Sequence, residues 1–206
     1  MQLHLASSPH VTCADGAAVP LAPRDAALLA WLALEGPTAR TRLAGLLWPE
    51  SDVETARNAL RQRLFQLKRL LGQTLVSGNA TLALAHGVVH DLAEADSVLA
   101  GAAQEFRGEL AQWLEQQGER RRARLRDALT ELATRAEGAR DYADALSHTR
   151  ELLVLDPLSE DAHRRLMRLH YLAGDRAAAL LAFDRCERLL KDEVGTRPGA
   201  ETLALL

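Results

Sequence analysis

Cysteine is scarce in this chain. Cys13 and Cys186 are the only two in 206 residues, and no CxxC or Cys/His ligand spacing surrounds either. A disulfide framework or zinc site therefore has nothing to build on, and a reducing cytoplasm is the expected home. Aromatic residues reach only 4%, so aliphatic side chains must fill the core. No apolar run approaches the roughly 18 residues of a membrane span, and MQLHLASSPHV lacks the basic-then-apolar order of a leader. The net charge of −3 is too near neutral for the whole chain to act as a polycation on nucleic acid or lipid. Any nucleic-acid surface must be local.

Catalytic signatures are missing as well. There is no GxxxxGK or GxGxxG phosphate loop, and the histidines show no HxxxH or HExxH spacing. His163 and His170 lie too far apart on one helix to share an ion. Neither cysteine has a spacing-matched His/Asp partner, while Ser51 and Ser159 read as helix caps rather than nucleophiles. No enzymatic activity, cofactor or metal is expected.

The length allows one large domain or two small ones, and the pattern changes once along the chain. Residues 1 to 23 hold short alternating stretches, QLHLA and HVTCADGAAVPL, the second split by the turn signal Asp15-Gly16. Arg24 to Leu34 has helical apolar spacing and is closed by Gly36-Pro37. Thr41 to Trp48 forms a second helix, capped by Thr41 and stopped at Pro49. A third runs from the cap Asp52 to Leu71 and ends at Gly72. Then TLVSGNATLALAHGVVHDL, residues 74 to 92, gives two or three short strands with turns at Gly78-Asn79 and His86-Gly87. Sheet, three helices and a hairpin is the order of a winged helix-turn-helix, assigned to residues 1 to 95, with residues 77 to 87 as the wing's contact region. His86 and His90 fall in that predicted wing, where a protonated imidazole can meet phosphate.

Beyond residue 95 strand signals vanish. ARDYADAL at 139 to 146 aligns with AGDRAAAL at 173 to 180, a period of 34 residues that suits tetratricopeptide-like helix pairs, and Asp156-Pro157 falls where one such unit ends. The expected fold is mainly α: the winged helix domain, then an all-α tetratricopeptide-like domain over residues 96 to 206.

At about 100° per residue, Val53, Ala56, Leu60, Leu64, Leu67 and Leu71 share one core stripe of the third helix. Thr55, Asn58, Gln62 and Arg69 lie opposite, with Arg61, Phe65 and Gln66 on the flanks. The helix carries Arg57, Arg61, Arg63, Lys68 and Arg69 against Glu54 alone. Asn and Gln pair bidentately with adenine, Arg with guanine, and Thr or Phe touches the thymine methyl. Alone, such a face is more often merely solvated; its place on the third helix of this motif favours a DNA reader. Thr55, Asn58, Arg61, Gln62 and Gln66 are assigned to bases. Arg42, Arg57 and Arg69 are assigned to phosphates, with Arg63 and Lys68 beside the core stripe. The cluster ERRRARLR at 119 to 126 reads as intrahelical ion pairs with Glu115, Glu119 and Asp127. Trp31, Trp48 and Trp113 read as core or interdomain anchors.

RLAGLLWPESDVETARNALRQRLFQLKRLLG resembles the helix 2 to helix 3 segment of the SARP-like bacterial regulators, which join an OmpR-like winged helix to a bacterial transcriptional activator domain. EFRGEL at 105 to 110 and the run from Arg150 to Thr202 resemble that second domain. The resemblance covers nearly the whole chain. It implies an activator that binds promoter repeats in double-stranded DNA, with the helical domain packed on the DNA-binding domain and mediating self-association or RNA polymerase contact. No receiver domain with a phosphorylatable Asp is present, so phosphorylation control is not expected. The chain stops at ETLALL, inside the family's last helix, as in a truncated or naturally short member. Two rival expectations are a protein-interaction adaptor, with the winged helix as a structural unit only, and the input end of a larger ATP-driven switch.

Overall fold

A computed structural model describes residues 1–13, 15–93, 95–100 and 103–205. It divides into two units, Met1–Arg121 and Arg122–Leu206. In the first, β1 (Gln2–His4), β2 (His10–Thr12) and β3 (Ala18–Pro20) form an antiparallel meander whose last turn places Gly16 at positive φ, as Asp15-Gly16 predicts. Three helices follow: α1 (Pro23–Glu35), α2 (Arg40–Leu47) and α3 (Val53–Leu71). Between the first two, β4 (Thr38–Ala39) joins the hairpin of β5 (Val76–Gly78) and β6 (Thr81–Leu84) in a sheet of order β4-β6-β5. This is a winged helix-turn-helix.

Three sequence expectations shift. The N-cap of α2 is Ala39, which has no side chain to cap with, and Thr41 lies inside the helix. The strand after His86-Gly87, β7 (Val89–His90), leaves the wing and pairs in parallel with β1, so His90 belongs to the N-terminal sheet. The first unit also continues past residue 95. The Asp91 carboxylate accepts from the Leu5 N–H at 2.8 Å, Leu99 N–H donates to Leu5 O, and Ala100 N–H donates to Ala6 O. These bonds tie the returning chain to the N-terminal strand, and Val98, Leu99, Leu110, Trp113 and Leu114 complete the unit's hydrophobic core.

The helix α4 (Gly108–Gly138) gives its first part to this unit and its remainder to the second. Within the first, Trp113 packs on Trp31 with ring centroids 4.8 Å apart and donates to Glu35 Oε1 at 2.6 Å. Arg121 is buried and donates to Leu92 O and to Gln117. One arginine of the basic cluster thus turns inward and meets backbone carbonyls.

The second unit continues with α5 (Tyr142–Leu155), α6 (Glu160–Leu172), α7 (Arg176–Val194) and α8 (Ala200–Leu203). The 34-residue repeat is visible in its caps. Asp141 accepts from Asp144 N–H at the start of α5, and Asp175 accepts from Ala178 N–H at the start of α7. Ser159 caps α6, as expected. Burial breaks the symmetry: Leu146 is buried, whereas its repeat mate Leu180 is 57% exposed. Glu160 accepts from Thr202 Oγ1 at 2.6 Å and from Gly199 N–H at 2.8 Å, bonds that hold its carboxyl below the ordinary value. This tie between α6 and α8 is complete above the usual carboxylate range and is lost as pH falls through the lowered value.

The residues before those two aspartate caps differ in one respect. Gly174 has φ 85°, and its repeat counterpart Arg140 has φ 60°. An L-residue in the left-handed region costs about 1–2 kcal/mol, partly offset by the greater freedom glycine loses on folding. Arg140→Gly should therefore raise stability by about 0.5–1 kcal/mol in urea unfolding; an unchanged or lower midpoint would contradict the strain.

Candidate nucleic-acid interface

The sequence of α3 fixes both its ends. Asp52 Oδ1 accepts from the N–H groups of Glu54 and Thr55 at 3.0 Å, and Oδ2 accepts from Thr55 Oγ1 at 2.6 Å. Those bonds, the Thr55 hydroxyl first, lower the Asp52 carboxyl below its ordinary value. At the far end Gly72 adopts the left-handed conformation that stops the helix. Ala56, Leu60, Leu67 and Leu71 are buried and Leu64 is half-buried, but Val53 is 69% exposed. The core stripe therefore begins one turn later than the apolar spacing predicts.

Arg63 is held by a residue the sequence reading did not select. Asp25, in the first turn of α1, is 6% exposed and accepts from Arg63 Nε at 2.8 Å and from Arg63 Nη2. The fork is bidentate, the geometry in which Arg and carboxylate pair most strongly. It removes Arg63 from the set of free cations and pins the rotation of α3 about its axis.

The remaining polar residues face outward. Thr55, Arg57, Arg61, Gln62, Gln66, Lys68 and Arg69 are exposed and Asn58 is half-buried. Arg61 donates to Asn58 Oδ1, and Gln66 Oε1 accepts from Arg63 at 3.4 Å. The Thr55 hydroxyl is committed to the cap, which leaves its methyl group presented. Among the described residues, Arg57, Arg61, Lys68 and Arg69 form no ion pair. Arginines 126, 135, 164, 165 and 168 of the second unit, by contrast, each lie within 4.0 Å of a carboxylate.

Arg42 is placed apart from this group. Its guanidinium pairs with Glu109 and lies 5.9 Å from the Trp31 ring centroid. Arg40, which the sequence reading passed over, is better placed. It lines a hollow of about 410 Å³ with Arg57, Asn58 and Arg61, and another of about 210 Å³ with Phe65, Lys68 and Gly78. Its Nε is buried without a hydrogen-bond partner, and its backbone N–H donates to Ala80 O in the wing turn. The signal in the sequence is its position at the start of the second helix, where the chain approaches the phosphates in this motif. In the wing, Gly78 has φ 111°, and an added Cβ would sit 2.0 Å from Thr81 O, so only glycine fits there.

Residues 73–206 match the family described as "Bacterial transcriptional activator domain". The chain belongs to the SARP-like regulators that carry this domain. This SARP-like chain is 34% identical over 214 aligned positions to the "Regulatory protein AfsR" of Streptomyces coelicolor, an alignment covering 88% of the chain. It spans about a fifth (21%) of that relative's length. A solved structure titled "Mycobacterium tuberculosis EmbR in complex with low affinity phosphopeptide" shares the fold, with a TM-score of 0.63 at 22% identity over 99% of this chain and 63% of that one. The family match begins just after α3, so it leaves the outer face of that helix to be judged on its own chemistry.

No helix among the described residues is long and apolar enough to cross a membrane, and no three His, Cys, Asp or Glu side chains there could hold a metal ion. Burial pushes the Cys186 thiol up to about 11, which suits a packed side chain rather than a nucleophile.

Removing the Asp25 carboxylate strands a partly buried guanidinium. Asp25→Ala should cost about 1–3 kcal/mol in urea unfolding, and replacing both partners by apolar residues should recover much of that loss. A wild-type midpoint for Asp25→Ala would show the pair to be incidental.

Proposed function

We propose that the chain is a sequence-specific DNA-binding transcription regulator, an activator, that lays α3 in the major groove of promoter repeats. The observation that carries this is the set of cations on α3 left without carboxylates, on a helix whose rotation a buried ion pair fixes. Arg61 and Gln62, with Asn58, Gln66 and the Thr55 methyl, supply the chemistry that distinguishes base edges. Arg40, Arg57, Lys68 and Arg69 flank them as phosphate contacts. Arg42 stays with Glu109 unless DNA displaces that partner.

The helical unit would supply protein contacts, either with a second copy or with RNA polymerase. Tyr171, Leu180 and Leu181 are 58%, 57% and 65% exposed, a concentration of apolar surface that suits a partner. An adaptor with no DNA ligand would leave four cations on α3 without counter-charge, which is why DNA binding is preferred.

The deciding experiment is selection of bound duplexes from a random pool, followed by titration. With four phosphate contacts, affinity should fall about a hundredfold for a fourfold rise in salt, while the selected site stays about a thousandfold or more tighter than random duplex. Joint replacement of Arg61 and Gln62 by Ala should abolish that preference and leave far-UV circular dichroism intact. Unchanged affinity for the selected site would refute the assignment.

A further inference from the structure

Phe65 sits in the middle of α3 with 67% of its surface exposed. It lies about 140° around the helix from the buried Leu60 and in nearly the same stripe as Asn58. Folding does not require it there: the core side of α3 is filled without it. It stands one turn from Arg61 on one side and from Lys68 and Arg69 on the other, all exposed and without ion pairs among the described residues. Beneath it the hollow shared with the wing is floored by Leu64, Leu67, Leu75 and Val76 and edged by Arg40 and Lys68.

An exposed apolar ring amid unpaired cations restricts its occupant. A protein surface apolar enough to cover the ring would desolvate the cations around it with nothing in return. A DNA duplex meets both demands, since phosphates pair with the cations while the major groove offers an apolar group at base depth, the 5-methyl of thymine. We infer that Phe65 is a specificity-determining residue that reads a thymine by its methyl group. This rests on the DNA-binding reading above. It adds a base and a chemistry that the hydrogen-bonding residues do not supply, because thymine and uracil present the same hydrogen-bonding groups and differ only in that methyl.

The test replaces each thymine of the selected duplex in turn by deoxyuridine, in titrations of the full chain and of Phe65→Ala. Burying one methyl group is worth about a fourfold change in affinity, so one position should lose about four- to tenfold in the wild type. The same replacement should leave Phe65→Ala binding unchanged, a non-additive cycle that locates the contact. Because the side chain is exposed, Phe65→Ala should unfold at the wild-type midpoint, which separates base reading from folding. Tolerance of deoxyuridine at every position, or a methyl dependence that survives in Phe65→Ala, overturns this inference and leaves the DNA-binding reading standing. Equal affinity of the wild type for selected and random duplex overturns both.

Discussion

A buried carboxylate on α1 gripping an arginine on α3 is the constraint on which the reading face depends. Hydrophobic burial of Leu60, Leu67 and Leu71 attaches α3 to its neighbours, but apolar contact is non-directional and tolerates rotation. The bidentate fork between Asp25 and Arg63 does not. Such pairs contribute little net stability, because desolvation consumes most of the Coulombic gain. Their use here is orientation: with Arg63 fixed, Arg61, Gln62, Phe65 and Arg69 can only point outward.

Around that clamp the chain separates tasks by charge pairing. In the helical unit Arg164, Arg165 and Arg168 along α6 each meet a carboxylate, and exposed apolar residues follow on α6 and α7. On the outer face of α3, Arg57, Arg61, Lys68 and Arg69 stand without ion pairs among the described residues. A chain of net charge −3 thereby keeps a local positive surface without becoming a general polycation. Arg40 extends that surface toward the wing, whose turn is fixed by a glycine that no other residue can replace.

What could be read from the sequence was what is decided locally. The Asp52 cap, the Gly72 stop and the two aspartate caps 34 residues apart follow from side chains bonding to backbone a few positions away. So does the outward placement of Gln62 and Arg69, which needs only the helical period. What stayed hidden depends on distant partners. Nothing near Asp25 marks it as the anchor for a residue 38 positions later, nor does the sequence around Val89 announce parallel pairing with the first strand. Val53 carries the right periodicity but lies beyond the edge of the core, so burial overrides pattern. The segment after residue 95 reads as a change of character, yet its leucines complete the first unit because backbone bonds draw it beside Leu5 and Ala6.

Guanine N7 methylation interference, on a duplex selected by the full chain, tests the central claim most directly. N7 lies on the major-groove edge that an arginine reads. Methylation of guanines within each half-site should block binding by the wild type, and one such position should become indifferent in Arg61→Ala. Selective binding that tolerates N7 methylation throughout would contradict major-groove reading by α3.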